Sequence, residues 1–144
     1  MLNWFEELIS GIAEMDRQHR LIISSINEIY AACDKNESKE KLLDLINNFD
    51  GYINKHFETE EKYAELYNFP KLAELKSEHE FFKNLYLHLR YHSHYYDVSS
   101  GTYTYVYTYV IHLTKTLEEW LIVHLNTIDK ELIDYLKSKI IKDI

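Results

Sequence analysis

Four of the chain's eight histidines, His19, His56, His79 and His124, fall where the surrounding pattern calls for an apolar residue, one in each of four amphipathic stretches. An imidazole on an apolar seam must find a partner, and a buried carboxylate is costly unless it is paired or bound to a metal. Glu60 lies one helical turn after His56. Residues four apart on a helix differ by about 40° around the axis and about 6 Å along it, so both side chains reach one inward-facing point. Asp129 follows His124 by five residues, which on an ideal helix is about 140°, so a shared site requires a helix end or a local widening there. Imidazoles combined with carboxylates suit non-haem iron, and helical bundles hold di-iron centres between inward-facing side chains. Ligand type alone leaves manganese or a mixed centre open.

The elements that position these residues are helices. Apolar residues at Ile12, Met15, Ile22, Ile26 and Ile29, with His19 on the missing beat, form a 3-4 seam. Asp16 as a cap and Gly11 as a bend predict a first helix over about 16–35. Ser38 as a cap opens a second helix over about 39–67, whose seam runs Leu42, Ile46, Phe49, Ile53, His56, Glu60, Tyr63 and Tyr67. Pro70 suits the first turn of a third helix, which carries Leu72, Leu75, His79, Phe82, Tyr86 and Leu89 to about residue 93. The alternating Thr, Tyr and Val that follow favour a strand by propensity. A seam of Val106, Val110, Leu113, Leu117, Trp120, His124, Leu125 and Ile128 runs through them and predicts a helix over about 102–127, with YDVSSG as the turn before it. A short helix over about 129–142 closes the chain. The fold expected is all-α, an up-down-up-down antiparallel four-helix bundle with an amino-terminal arm and a short C-terminal helix.

Length and composition set the frame for this reading. A chain of 144 residues is expected to be a single domain over 1–144. A net charge of −8 disfavours nucleic acid and an anionic membrane surface as partners. No run approaches the length of a membrane span. A lone Cys33 and an amino terminus without the marks of a secretory signal make a cytoplasmic protein the expectation. No fused signalling domain is expected, and oligomeric state is open.

With these residues in view, the sequence resembles the hemerythrin family, specifically its bacterial hemerythrin-like domains. The matching text is NWFEELISGIAEMDRQHRLI, HFETEE around His56, and WLIVHLNTID near the end. In that family a carboxylate-bridged pair of irons binds dioxygen reversibly. The resemblance implies two non-haem iron ions with an oxo or hydroxo bridge. His19 and His56 would serve one iron, His79 and His124 the other, with Glu60 and Asp129 bridging. It further implies an apolar oxygen pocket lined by Ile22, Phe57, Trp120, Leu121 and Leu125. One departure stands out: the family's third motif is His-x-x-x-His, and here Leu75 occupies the position four before His79. Leu75 thereby joins the pocket residues, and the lost ligand opens a coordination position to water, peroxide or a small anion. Glu74 or Glu78 turning inward is the possible substitute.

Three functions follow as alternatives. The first is a dioxygen-binding protein for storage, delivery or sensing, without turnover. The second is a di-iron enzyme with peroxidase-like or oxidase-like activity at the position opened by Leu75. The third is a metal-free bundle in which the histidines are relics. Other residues read as ordinary: His88, His92 and His94 as a solvated helix end, His112 as a surface residue, and Cys33 as an inert thiol. Most of the 13 tyrosines read as bundle and rim residues, with Tyr52, Tyr63 and Tyr67 on or near the ligand face.

Overall fold

A computed structural model describes residues 9–95 and 103–140. It contains five helices in that range: α1 (Ala13–Asp34), α2 (Lys39–Leu66), α3 (Leu72–Tyr95), α4 (Tyr103–Asn126) and α5 (Ile128–Ile140). Helix α1 packs on α2 and α4, and α3 packs on the same two helices, so the four long helices close into a bundle in chain order. The direction alternates. His19 stands early in α1, His56 late in α2, His79 early in α3 and His124 late in α4, yet all four lie in one layer, which requires an up-down-up-down arrangement.

Sequence and structure agree on most boundaries, and the differences have local causes. Ser38 caps α2 by accepting from the Lys41 N–H at 3.1 Å. Helix α1 starts earlier than expected, at Ala13, and its N-cap residue Ile12 provides no side-chain cap. Asp16 is therefore not a cap. It sits inside the helix, and its carboxylate reaches back to accept from the Ser10 N–H at 2.7 Å, the Ser10 hydroxyl at 2.8 Å and the Gly11 N–H at 3.2 Å. Gly11 makes the expected bend at φ +80°, a backbone region open to glycine at little cost. Pro70 lies in the turn before α3 rather than in its first turn. The Thr-Tyr-Val stretch is helical from Tyr103, so the packing of its apolar seam overrides strand propensity. The YDVSSG turn lies outside the described residues.

The buried side chains form two apolar clusters separated by a polar layer. The larger cluster contains Ile22, Ile26, Ile29, Leu42, Ile46, Phe49, Ile53, Phe57, Phe82, Tyr86, Leu117 and Leu121. The smaller is built from Met15, Ala64, Phe69, Leu75, Ile128, Leu132 and Leu136, so α5 covers this end of the bundle. Between them lie His19, His56, Glu60, His79, His124 and Asp129, each no more than 2% exposed. Of the three tyrosines near this face, Tyr63 and Tyr67 pack against the smaller cluster, while Tyr52 is exposed. His88 and His112 are exposed as well. No described helix is long and apolar enough to cross a membrane.

Candidate metal centre

Each helix delivers its donor by the 3-4 seam, and the break between α4 and α5 delivers the last one. Helix α4 ends at Asn126, and the Thr127 N–H bonds the His124 carbonyl at 3.3 Å, a tightened three-residue step. Helix α5 then starts afresh at Ile128. Asp129 thus enters the layer from the first turn of a new helix, which removes the angular conflict with His124 on one continuous helix.

The donor atoms fall into two groups. His19, His56, Glu60 and Asp129 each offer one ligand atom, all within 4.8 Å of one another, and Glu60, His79 and His124 do the same. Glu60 belongs to both. Its Oε1 lies 2.6 Å from His56 Nε2, while Oε2 lies 2.7 Å from His79 Nε2 and 3.6 Å from His124 Nε2. On the other side, His19 Nε2 is 3.1 Å from His56 Nε2 and 3.2 Å from Asp129 Oδ2. Two imidazole nitrogens pointed at each other at this distance, next to two carboxylates, form a concave set of lone pairs.

A second line of polar residues fixes how three of the rings present themselves. His56 Nδ1 donates to Gln18 Oε1 at 3.0 Å. The Gln18 amide nitrogen donates to Thr59 Oγ1 at 2.9 Å, and that hydroxyl donates to the Lys55 carbonyl at 3.0 Å. This relay runs one way, so the Gln18 oxygen must face His56. His79 Nδ1 donates to Glu61 at 2.8 Å, and His124 Nδ1 donates to Glu78 at 2.8 Å. With each Nδ1–H held, Nε2 faces the centre, where it hydrogen-bonds Glu60 and, once deprotonated, presents the lone pair that a metal ligand requires. Glu78 therefore braces His124 rather than replacing the missing donor at Leu75, and Glu74 is exposed.

Gln18, Glu61 and Glu78 were not singled out from the sequence as ring-bracing partners. The signal available was adjacency: each is the immediate neighbour in sequence of a seam donor, about 100° around the helix, which places it at a seam edge facing the next helix.

Charge follows the geometry. Burial pushes the Glu60 carboxyl up, but the neighbouring His56 charge and hydrogen bonds from His124, His56 and His79 outweigh it and hold Glu60 well below the usual carboxylate range. Asp129 is raised, by burial first and then by the Glu60 charge. Burial pulls His124 down, yet the hydrogen bond and charge of Glu60 dominate and lift it to about 9. His19 is likewise raised, against burial, by Asp129. Asp129 Oδ1 is buried with no partner, and Glu60 Oε1, Asp129 Oδ2 and His124 Nε2 are buried with only the other donors of the layer beside them. Orphaned atoms of this kind cost free energy unless something else satisfies them, and mixed imidazole and carboxylate donors fit a metal cation.

Aromatic rings close the layer. Phe57 stacks on His79 with centroids 3.8 Å apart and planes 12° apart, and Trp120 stacks on His124 at 4.8 Å and 13°. Ile22, Phe57, Leu121 and Leu125 belong to the larger cluster, with Trp120 packed against it. Leu75 does not join them. It is fully buried in the smaller cluster, on the other side of the donors. A cavity of about 250 Å³ reaches His19, Asp129 and Leu125 from a mouth lined by Ile9, Lys130 and Lys137.

Comparison with known proteins adds one finding. Residues 10–136 match the family model described as hemerythrin HHE cation binding domain. No curated protein and no solved structure gives a match.

Proposed function

The chain belongs to the hemerythrin HHE cation-binding family, and on that premise we propose that it is a non-haem di-iron protein that binds dioxygen. His19 and His56 would hold one iron and His79 and His124 the other, with Glu60 and Asp129 as the carboxylates between them. The observation that carries this reading is the buried layer itself: two donor groups that share the Glu60 carboxylate, with Asp129 Oδ1 buried and unpartnered and the other inward atoms facing only one another. Iron, when bound there, supplies electrons and an exchangeable coordination position.

The protein's own part is threefold. Gln18, Glu61 and Glu78 orient the rings. Phe57, Trp120, Ile22, Leu121 and Leu125 keep water from one side of the layer, which protects a reduced centre from proton-assisted oxidation. The cavity ending at His19 and Asp129 is large enough for a diatomic ligand or a small anion. A metal centre behind such a cavity suits storage, delivery or sensing.

Leu75 supports a second reading. With one donor fewer beside His79 and His124, the second iron offers a place for peroxide, and peroxidase-like or oxidase-like turnover becomes accessible.

The test is the visible absorption spectrum of anaerobically iron-loaded protein as dioxygen is added and then removed. A charge-transfer band that appears and vanishes with oxygen supports the binding reading. Irreversible decay to a ferric spectrum removes it, and reductant-dependent turnover with peroxide would then favour the enzyme.

A further inference from the structure

Two aromatic rings lie nearly parallel against histidines of the layer, and they differ in kind. Phe57 stacks on His79 at 3.8 Å and is only 1% exposed. Trp120 stacks on His124 at 4.8 Å, with planes 13° apart, and is half-buried rather than enclosed. A phenyl ring gives up an electron only to a very strong oxidant, whereas an indole does so far more readily. Among the described residues, Trp120 is the oxidisable ring in contact with a donor histidine. Exclusion of water alone would be served by a second phenyl ring.

From Trp120 the rings continue outward. Phe81 lies against it with centroids 6.5 Å apart and planes 27° apart, and is 56% exposed. Phe82, fully buried, packs on the same indole at 4.6 Å and holds it in place. Val123, three residues after Trp120 on α4 and therefore its neighbour on the helix surface, is 60% exposed. His124, Trp120 and Phe81 thus form a run of rings from the buried layer to an apolar spot on the surface of α3 and α4.

We propose that Trp120 is the electron relay of the layer. It passes electrons, one at a time, from an aromatic reductant of the phenol class at Phe81 and Val123 to the centre as peroxide is reduced there. Peroxide takes up two electrons and two protons and leaves as two waters. Two phenols each lose one electron and the hydroxyl proton and leave as phenoxyl radicals, and Trp120 is oxidised and refilled once for each. A net charge of −8 slows the approach of an anionic donor and favours a neutral phenol. Trp120 acts through His124, which it touches. This rests on the metal-binding reading above and adds to it the route and the class of the reductant.

The full chain is loaded with iron, oxidised to the ferric state so that the metal has no electrons to give, and treated with peroxide. Freeze-quench electron paramagnetic resonance and peptide mass spectrometry then read where the electrons came from. The expected result is an indole radical and, without phenol, an oxygen atom added at Trp120 as peroxide leaves as water. Neutral phenol should reduce that mark several-fold. Trp120→Phe keeps a stacked ring and should abolish the radical, while Trp120→Tyr should restore oxidation of phenol. Phe81→Ala should leave the radical in place and slow its quenching by phenol several-fold. If Trp120→Phe does not fold, ring-deuterated tryptophan in a Trp4→Phe chain identifies the radical with Trp120 intact. A radical that survives Trp120→Phe, or oxygen added as much at Phe57 or Tyr63 as at Trp120, overturns the inference and leaves the metal reading intact. Bound iron with neither radical nor mark at Trp120 does the same, and unchanged quenching in Phe81→Ala overturns the surface end of the route. A chain that retains no iron overturns both readings.

Discussion

Replacing Asp16 by Ala tests how the amino-terminal arm is held and what that does at the centre. The Asp16 carboxylate is the acceptor for three donors, and the loss differs for each. The Ser10 N–H lies in a fully buried residue and is left without this partner, at about 1–3 kcal/mol. The Ser10 hydroxyl keeps its bond to the Ile12 carbonyl at 3.2 Å, so its loss is small. Gly11 is exposed and its N–H can rehydrate. The total is about 2–3 kcal/mol, which for a chain of this size lowers Tm by about 4–10 °C. Asp16→Asn retains one acceptor oxygen and should fall about midway. Ile9 lines the mouth of the cavity that ends at His19 and Asp129, so a released arm also widens that mouth. Azide should therefore reach the iron-loaded variant faster than it reaches the parent, as followed by stopped-flow absorbance. A Tm unchanged within 1 °C refutes the clasp, and a lowered Tm with an unchanged entry rate refutes the arm as a wall of the entry route.

Loading and pH are linked. In the metal-free protein His124 is lifted to about 9, above its ordinary value, so its stabilising effect is complete below about pH 6.5 and is lost as pH rises through 9. Metal-free Tm should fall across that window, while ferrous ion should bind more tightly over it and release protons at pH 7; calorimetry in buffers of different ionisation enthalpy that shows no release refutes this. Asp129→Asn removes a buried carboxyl that is raised by burial and by Glu60, and should stabilise the metal-free fold by about 1 kcal/mol while shrinking the Tm gain on loading; a destabilised metal-free variant counts against it. Burial and the Asp34 charge push the Cys33 thiol up to about 12 from 9.0, so alkylation at pH 8 should run about 1000-fold slower than for a free thiol. Labelling of native protein at the free-thiol rate contradicts that value.

Periodicity made much of this molecule legible. Steps of three and four placed His19, His56, His79 and His124 on buried faces, and the same rule carried α4 through a Thr-Tyr-Val stretch that propensity alone assigns to a strand. It could not place Asp129, because the break at Thr127 that turns this side chain inward has no strong marker: Asn126 and Thr127 are neither Gly nor Pro. Asp16 misled for a different reason. An acidic residue near a helix start reads as a cap, and only the return of the arm onto α1 shows that the carboxylate serves Ser10 and Gly11. The bracing pairs join residues 18, 38 and 46 apart in sequence, and no local pattern encodes which neighbour faces which ring. Leu75 was visible as a departure, but not the side of the layer on which it packs.

Its position bears on whether the layer is a relic. If the donors no longer served a cation, the simplest drift would fill the layer with apolar residues, since it lies between two apolar clusters and each orphaned buried atom costs stability. Leu75 is an apolar residue of this kind, fully buried and continuous with Met15 and Leu132. The apolar packing stops there. His79, one turn on, keeps its Glu61 brace, His124 keeps Glu78, and His56 keeps a three-residue relay through Gln18 and Thr59 to the Lys55 carbonyl. These braces orient Nε2 lone pairs toward a common point, a task of no value to a metal-free bundle. A layer in which Leu75 packs while the remaining rings stay braced is built to hold a cation.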